Sequence, residues 1–165
     1  MPEVFVFTDS SLNPQTHVAY GAYLVIAEPD LDGDALQPRM KLGRFEKTSS
    51  TKIELQTLLL ALSEIQSPGS RLKVFTDSQN IMGLPDRRDH LERNGFRSKQ
   101  GALLNNHELY REFYRLIDRL DCEWFKVCGH QPSKQKGDME QIFALVDRAS
   151  RKALREEVRR NKNNQ

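Results

Sequence analysis

Cysteine is scarce in this 165-residue chain, which has two, Cys122 and Cys128. Two thiols cannot build a disulfide framework or supply the four ligands of a structural zinc site, so a reducing compartment, the cytoplasm, is expected. Long apolar runs are missing too. Nothing approaches the roughly 18–20 consecutive apolar residues of a membrane helix, and mean hydropathy is −0.66. No membrane partner is expected. The start, Met-Pro-Glu-Val-Phe-Val-Phe at 1–7, has neither a basic region nor a small-residue cleavage site, so export is not expected. No low-complexity stretch divides the chain. The expectation is one domain over 1–160 with a disordered tail over 161–165.

A strong charge of one sign is also absent, since the net charge is only +2. Its distribution is uneven. Residues 1–70 hold 5 Lys/Arg against 9 Asp/Glu, and residues 71–165 hold 20 against 14. A basic half suits a polyanionic partner, although an Arg-rich solvated helix surface would give the same count.

Val4 to Phe7 is an unbroken apolar run of the kind that forms a strand buried on both faces. Val18 to Ala27 and Met40 to Phe45 read as two further strands separated by a polar turn at Asp30 to Asp34, giving an antiparallel meander. From Thr51 to Ile65 the period becomes helical, with Leu55, Leu58, Leu59, Leu62 and Ile65 apolar, and Ser67-Pro68-Gly69 stops it. Leu72 to Phe75 is a fourth strand. Residues 79–121 read as helices interrupted at Leu84-Pro85 and again around Gly95 to Gly101. Glu123 to Cys128 is a fifth strand that puts Cys122, Trp124 and Lys126 on one face and Phe125 and Val127 on the other. A last helix is expected from Met139 to Arg160. The pattern predicts an α/β domain with a mixed sheet of about five strands.

The pentapeptide Val-Phe-Thr-Asp-Ser occurs twice, at 6–10 and 74–78. Two buried strands each ending in an Asp satisfy one structural demand twice, and ligands collect at the carboxyl ends of strands in α/β sheets. If the strands are parallel neighbours, Asp9 and Asp77 lie about 5 Å apart. Carboxylates that close repel unless one is protonated or a cation separates them. The alternative is that each Asp caps the element after it. Glu54 shares the buried stripe of its helix with Leu58, Ala61 and Ile65, and Asp147 shares a side with Phe143 and Leu154. Buried acids must be paired or hold a metal, and for Asp147 a salt bridge to Arg148 or Arg151 competes. His130 opens a polar loop and could move protons. Four acids and a histidine suit a hard ion such as magnesium or manganese, not zinc.

In order, Phe-Thr-Asp-Ser at 7–10, Tyr-Gly-Ala at 20–22, Ile-Glu-Leu at 53–55, Thr-Asp-Ser-Gln at 76–79, Val-Cys-Gly-His at 127–130 and Val-Asp-Arg-Ala at 146–149 resemble the ribonuclease H family, ribonuclease HI type. The resemblance implies a ribonuclease H-like fold: a five-stranded mixed sheet, antiparallel meander plus parallel strands, flanked by helices. It implies a monomeric endonuclease that hydrolyses the RNA strand of an RNA–DNA hybrid, leaving 3′-hydroxyl and 5′-phosphate ends. It further implies two Mg²⁺ or Mn²⁺ ions held by Asp9, Glu54, Asp77 and Asp147, with Asp9 bridging both, and an assisting His130. Asn13 and Gln79 match positions that touch the hybrid, and Ser50 and Thr51 stand where relatives carry an Asn pair. Arg87, Arg88, Arg93 and Arg97 lie in the stretch that resembles a basic handle gripping the DNA strand. The family glycine after the first Asp is Ser10 here. The interval from His130 to Asp147 is longer than in many relatives, leaving Asp138 and Glu140 as rivals for the fourth ligand position. A silent hybrid-binding module and another nuclease or strand-transfer enzyme on the same fold are the competing functions.

Overall fold

Strands and helices form where the apolar pattern puts them, and their order along the chain decides how they can pair. The computed structural model describes residues 3–27, 33–127 and 137–164. Strands β1 (Glu3–Leu12), β2 (Ala19–Ile26) and β3 (Lys41–Phe45) form the antiparallel meander. A short helix α1 (Gly33–Leu36) and a 3₁₀ turn (Gln37–Arg39) precede β3. Helix α2 (Ser50–Ser63) then crosses to β4 (Arg71–Thr76), which pairs parallel to β1. Helices α3 (Gln79–Arg93) and α4 (His107–Arg119) lead to β5 (Asp121–Lys126), parallel to β4, and α5 (Asp138–Asn163) closes the chain. The sheet order is β3-β2-β1-β4-β5. Helix α5 remains regular through Asn163, two residues past the start of the expected tail.

The two-residue period of the central strands sorts their side chains onto two cores. Val6, Val74 and Trp124 face α2, α3 and α4, with Leu55, Leu58, Leu62, Ile81, Leu84, Phe113 and Tyr114. Phe7, Phe75 and Phe125 face α5, meeting Ile142, Phe143 and Val146. Those three phenyl rings form a column, 4.8 Å from Phe7 to Phe75 and 5.0 Å from Phe75 to Phe125, nearly parallel in both pairs. The two copies of Val-Phe-Thr-Asp-Ser lie side by side in register, Val6 opposite Val74 and Phe7 opposite Phe75.

One feature departs from the local reading. Helix α3 continues through Pro85, where a break is expected. Proline in a helix interior removes one backbone bond and costs about 3 kcal/mol. Ile81 and Leu84 are fully buried beside it, and the Tyr114 hydroxyl donates to the Leu84 carbonyl at 2.7 Å, so tertiary packing holds the helix. Gly21 sets a second packing relationship. A Cβ there would come within 1.9 Å of Thr57 Oγ1, so the bare glycine lets α2 sit directly on β2. Thr57 is one turn from Glu54, and this close approach fixes how far the Glu54 end of α2 stands from the sheet.

Candidate active site

Asp9 and Asp77 follow the in-register pair Phe7–Phe75 by two residues each, so both leave the carboxyl end of the central parallel strands together. Neither caps a helix. Strand β1 continues past Asp9 to Leu12, and the N-cap of α3 is Ser78, whose hydroxyl oxygen accepts from the Ile81 N–H at 3.2 Å. The capping alternative therefore fails at both positions. Asp9 lies on the same strand face as Phe7, towards α5, and its carboxyl is hydrogen-bonded to Asp147. Burial, that hydrogen bond and the charges of Asp77 and Asp147 push Asp9 up to about 9.

Glu54 comes from the opposite face of the sheet. Ser49 caps α2 by accepting from the Lys52 N–H, so Glu54 lies in the second turn and the first turn holds no acid. A helix-dipole role, which needs the first turn, does not explain it. Its Oε2 accepts from the Ser78 hydroxyl at 2.6 Å. Burial and the charge of Asp77 raise its pKa, while the Ser78 hydrogen bond works in the other direction. Ser78 is thus both helix cap and anchor for Glu54, a residue that sequence reasoning passed over. The cap position before Gln79 was the available signal.

Asp147 is half-buried in α5 and bonded to Arg151 at 2.5 Å, so the salt bridge and the carboxylate contact coexist. Asp138 is exposed at the start of α5, nine residues and about 13 Å of helix away. Glu140 is half-buried, and its Oε2 is buried without a partner among the described residues. His130 and Cys128 lie outside the described residues.

All four acids offer hard oxygen donors, and the raised pKa of Asp9 reflects burial together with a repulsion from Asp77 and Asp147 that a cation would relieve. Their chemistry fits a divalent ion. Among the described residues no three His, Cys, Asp or Glu side chains are arranged to hold an ion. Asp9 is in contact with Asp147, Asp147 is paired with Arg151, and Glu54 is bonded to Ser78.

The expected substrate contacts scatter around this centre. Asn13 is half-buried in the β1–β2 turn, where its Oδ1 accepts from the Gln15 N–H at 3.0 Å. Gln79 is exposed and accepts from Lys126 at 2.6 Å. Ser50 and Thr51 open α2. Arg87 and Arg93 lie on α3 and Arg97 on the turn after it, all exposed. Arg88 differs: it forks onto Asp118 of α4 with Nη2–Oδ2 at 2.8 Å, pairs with Glu92 and lies 5.2 Å from the Tyr114 ring. The turn itself is pinned by Phe96, which is buried and takes a φ of 58° after Gly95 at 60°.

This sheet order, with carboxylates at the ends of its central parallel strands, defines a ribonuclease H-like α/β protein. The crystal structure of LC9-RNase H1, a type 1 RNase H with the type 2 active-site motif, shares the fold with a TM-score of 0.61 at 21% identity. That likeness covers 78% of this chain and 64% of the other, just under two thirds of its length. The RNase H family model matches residues 1–154. The chain is 29% identical to the ribonuclease H of Dinoroseobacter shibae, covering 84% of this chain and 88% of that one. It is 25% identical to the ribonuclease H of Moorella thermoacetica, covering 92% and 96%. The chain belongs to the ribonuclease H family. Among the described residues no helix is long and apolar enough to cross a membrane.

Proposed function

We propose that this chain is a ribonuclease H that hydrolyses the RNA strand of RNA–DNA hybrids and leaves 3′-hydroxyl and 5′-phosphate ends. The observation that carries the reading is the contact of Asp9 with Asp147, beside Asp77, at the carboxyl end of the parallel strands. Asp9, Glu54, Asp77 and Asp147 would hold two Mg²⁺ or Mn²⁺ ions. When bound, such ions polarise the scissile phosphate and acidify a water molecule.

The chain's own groups do the rest. The crowding of Asp9 against Asp77 and Asp147 is a repulsion that a cation bound there would offset. Ser78 holds Glu54 against rotation, and Arg151 holds Asp147. His130 carries a proton at its imidazole as product departs. Asn13, Ser50, Thr51 and Gln79 touch the hybrid near the acids, where amides and hydroxyls can sense a ribose 2′-hydroxyl. Arg87, Arg93 and Arg97 neutralise phosphates of the DNA strand and add affinity without sequence choice. Arg88 supports this surface from beneath. The reading includes a monomer working in the cytoplasm.

The test is cleavage of end-labelled hybrid, duplex RNA, single-stranded RNA and duplex DNA, with magnesium and with EDTA, by wild type and Asp9→Asn. Cleavage of the hybrid alone, dependent on magnesium and lost in Asp9→Asn while hybrid binding persists, is expected. Binding of hybrid without cleavage by wild type would replace the enzyme with a binding module. Activity above a few per cent in Asp9→Asn would remove Asp9 from its role.

A further inference from the structure

Helix α5 runs in the same direction as β1. Asp147 meets Asp9, the Ser150 and Ser11 hydroxyls lie 3.1 Å apart, and Leu154 lines a cleft with Leu12 and Asn13. The second half of α5 therefore extends past the catalytic end of the sheet, alongside the β1–β2 turn. On that extension lie Arg148, Arg151, Lys152, Arg155, Arg159 and Lys162, all exposed. At 100° per residue the six fall within an arc of about 100°, opposite the buried side that carries Val146, Ser150 and Glu157. No acid falls within the arc. Arg151 is tied to Asp147, but Arg155, Arg159 and Lys162 make no ion pair or hydrogen bond among the described residues.

A solvated helix face ordinarily mixes signs, because like charges at i,i+4 weaken a helix. Here Arg148–Lys152, Arg151–Arg155 and Arg155–Arg159 all stand at that spacing. Compensation of the helix dipole accounts for the last turn alone, and it leaves Arg148 to Arg155 unexplained. Two adjoining clefts join the stripe to the site: one holds Ser11 with Arg148, Arg151 and Arg155, the other holds Asn13 with Arg155, Arg159 and Lys162. The rise from Asp147 to Lys162 is about 22 Å, and the i,i+4 step of about 6 Å is on the scale of successive phosphates along a strand.

We infer that the outer face of α5 is a second phosphate track, on the opposite side of the sheet from α3. It would grip the hybrid duplex for about half a helical turn to one side of the cleavage site. The inference rests on the hybrid-cleaving function proposed above and adds a flank to its footprint.

The experiment uses the full chain with Arg155, Arg159 and Lys162 all changed to Gln, leaving Arg148 and Arg151 beside the acids untouched. Substrates are three hybrids with one fixed cleavage site: a short one, and two lengthened in one direction or the other. The expected result is a rise in KM of roughly tenfold or more for one lengthened hybrid, with kcat and the short hybrid unaffected. The slope of log KM against log salt on that hybrid should fall by about 2 to 3, since about 0.9 is lost per phosphate contact. The charge-preserving variant R155K/R159K/K162R should keep the wild-type slope and guards against a folding defect. An unchanged KM and slope on both lengthened hybrids overturns the inference and leaves the enzyme function standing. So does loss of binding to phosphatidylserine vesicles with no change on any hybrid, which would make the stripe a membrane contact. If wild type cleaves none of the three hybrids, the proposed function itself fails.

Discussion

The Ser78 hydroxyl donates to Glu54 Oε2 at 2.6 Å while its oxygen accepts from the Ile81 N–H at 3.2 Å. One side chain thereby starts α3 and fixes an acid presented by α2, so the helix carrying the basic surface and the acid beside the strand ends share an anchor. Ser78→Ala should cost about 1 kcal/mol of cap stability and lower kcat several-fold with little change in KM. Ser78→Thr should restore most of both. Thermal melts and steady-state kinetics on a defined hybrid check this; a fall in stability with kcat intact would leave Ser78 as a cap alone.

Asp147 and Asp138 separate cleanly in the structure, one against Asp9 and the other exposed about two and a half turns away. Asp147→Asn should reduce kcat at least a hundredfold with hybrid affinity nearly unchanged, and Asp138→Asn should stay within about twofold of wild type. In EDTA, Asp9→Asn should melt a few degrees above wild type, because it removes one acid from a repelling group. A crippled Asp138→Asn with a mild Asp147→Asn would move the fourth acid to the start of α5.

Arg88 is engaged by Asp118, Glu92 and the Tyr114 ring, whereas Arg87, Arg93 and Arg97 reach solvent. Arg88→Ala should lower the melting temperature by a few degrees and leave the salt dependence of hybrid binding as it was. Changing Arg87, Arg93 and Arg97 together to Ala should do the reverse, raising KM and flattening the salt slope. Filter binding across a salt series distinguishes the two. A flattened slope in Arg88→Ala would mean that Arg88 leaves its partners to reach phosphate.

Glu157 is buried in α5, accepting from the Arg44 guanidinium and, at 2.8 Å, from the Tyr20 hydroxyl. Arg44 chiefly, and Tyr20 after it, hold its carboxyl below the usual range although burial acts the other way. A depressed folded-state pKa gives stability that is present above the unfolded value, about 4.3, and fades as pH falls through the folded value. Glu157→Gln should therefore melt lower than wild type at pH 7, and the gap should close below about pH 4. Melting temperatures from pH 3 to 8 measure it. A gap that stays constant with pH would mean the loss is one of packing.

The sequence alone determined the elements whose energetics are local. Val4 to Phe7 and Leu72 to Phe75 are apolar runs that bury on both faces, and the helical period from Thr51 to Ile65 needs no partner to be recognised. It also carried both acids past the parallel-paired stretch, because the repeated Val-Phe-Thr-Asp-Ser holds strand and acid together, although β1 itself runs on beyond Asp9 to Leu12. Tertiary structure decided what depends on groups distant along the chain. Register placed Phe7 on Phe75 and so set the two acids abreast. Packing of Ile81 and Leu84, with Tyr114 on the Leu84 carbonyl, carried α3 through a proline that breaks helices elsewhere. Arg88 is held by Asp118, thirty residues further along the chain. The direction of α5 along β1 brought Asp147 to Asp9 and carried the basic face of the helix past the site. Periodicity records which side of an element is apolar; only packing between elements determines what that side meets and which charges are left to face a partner.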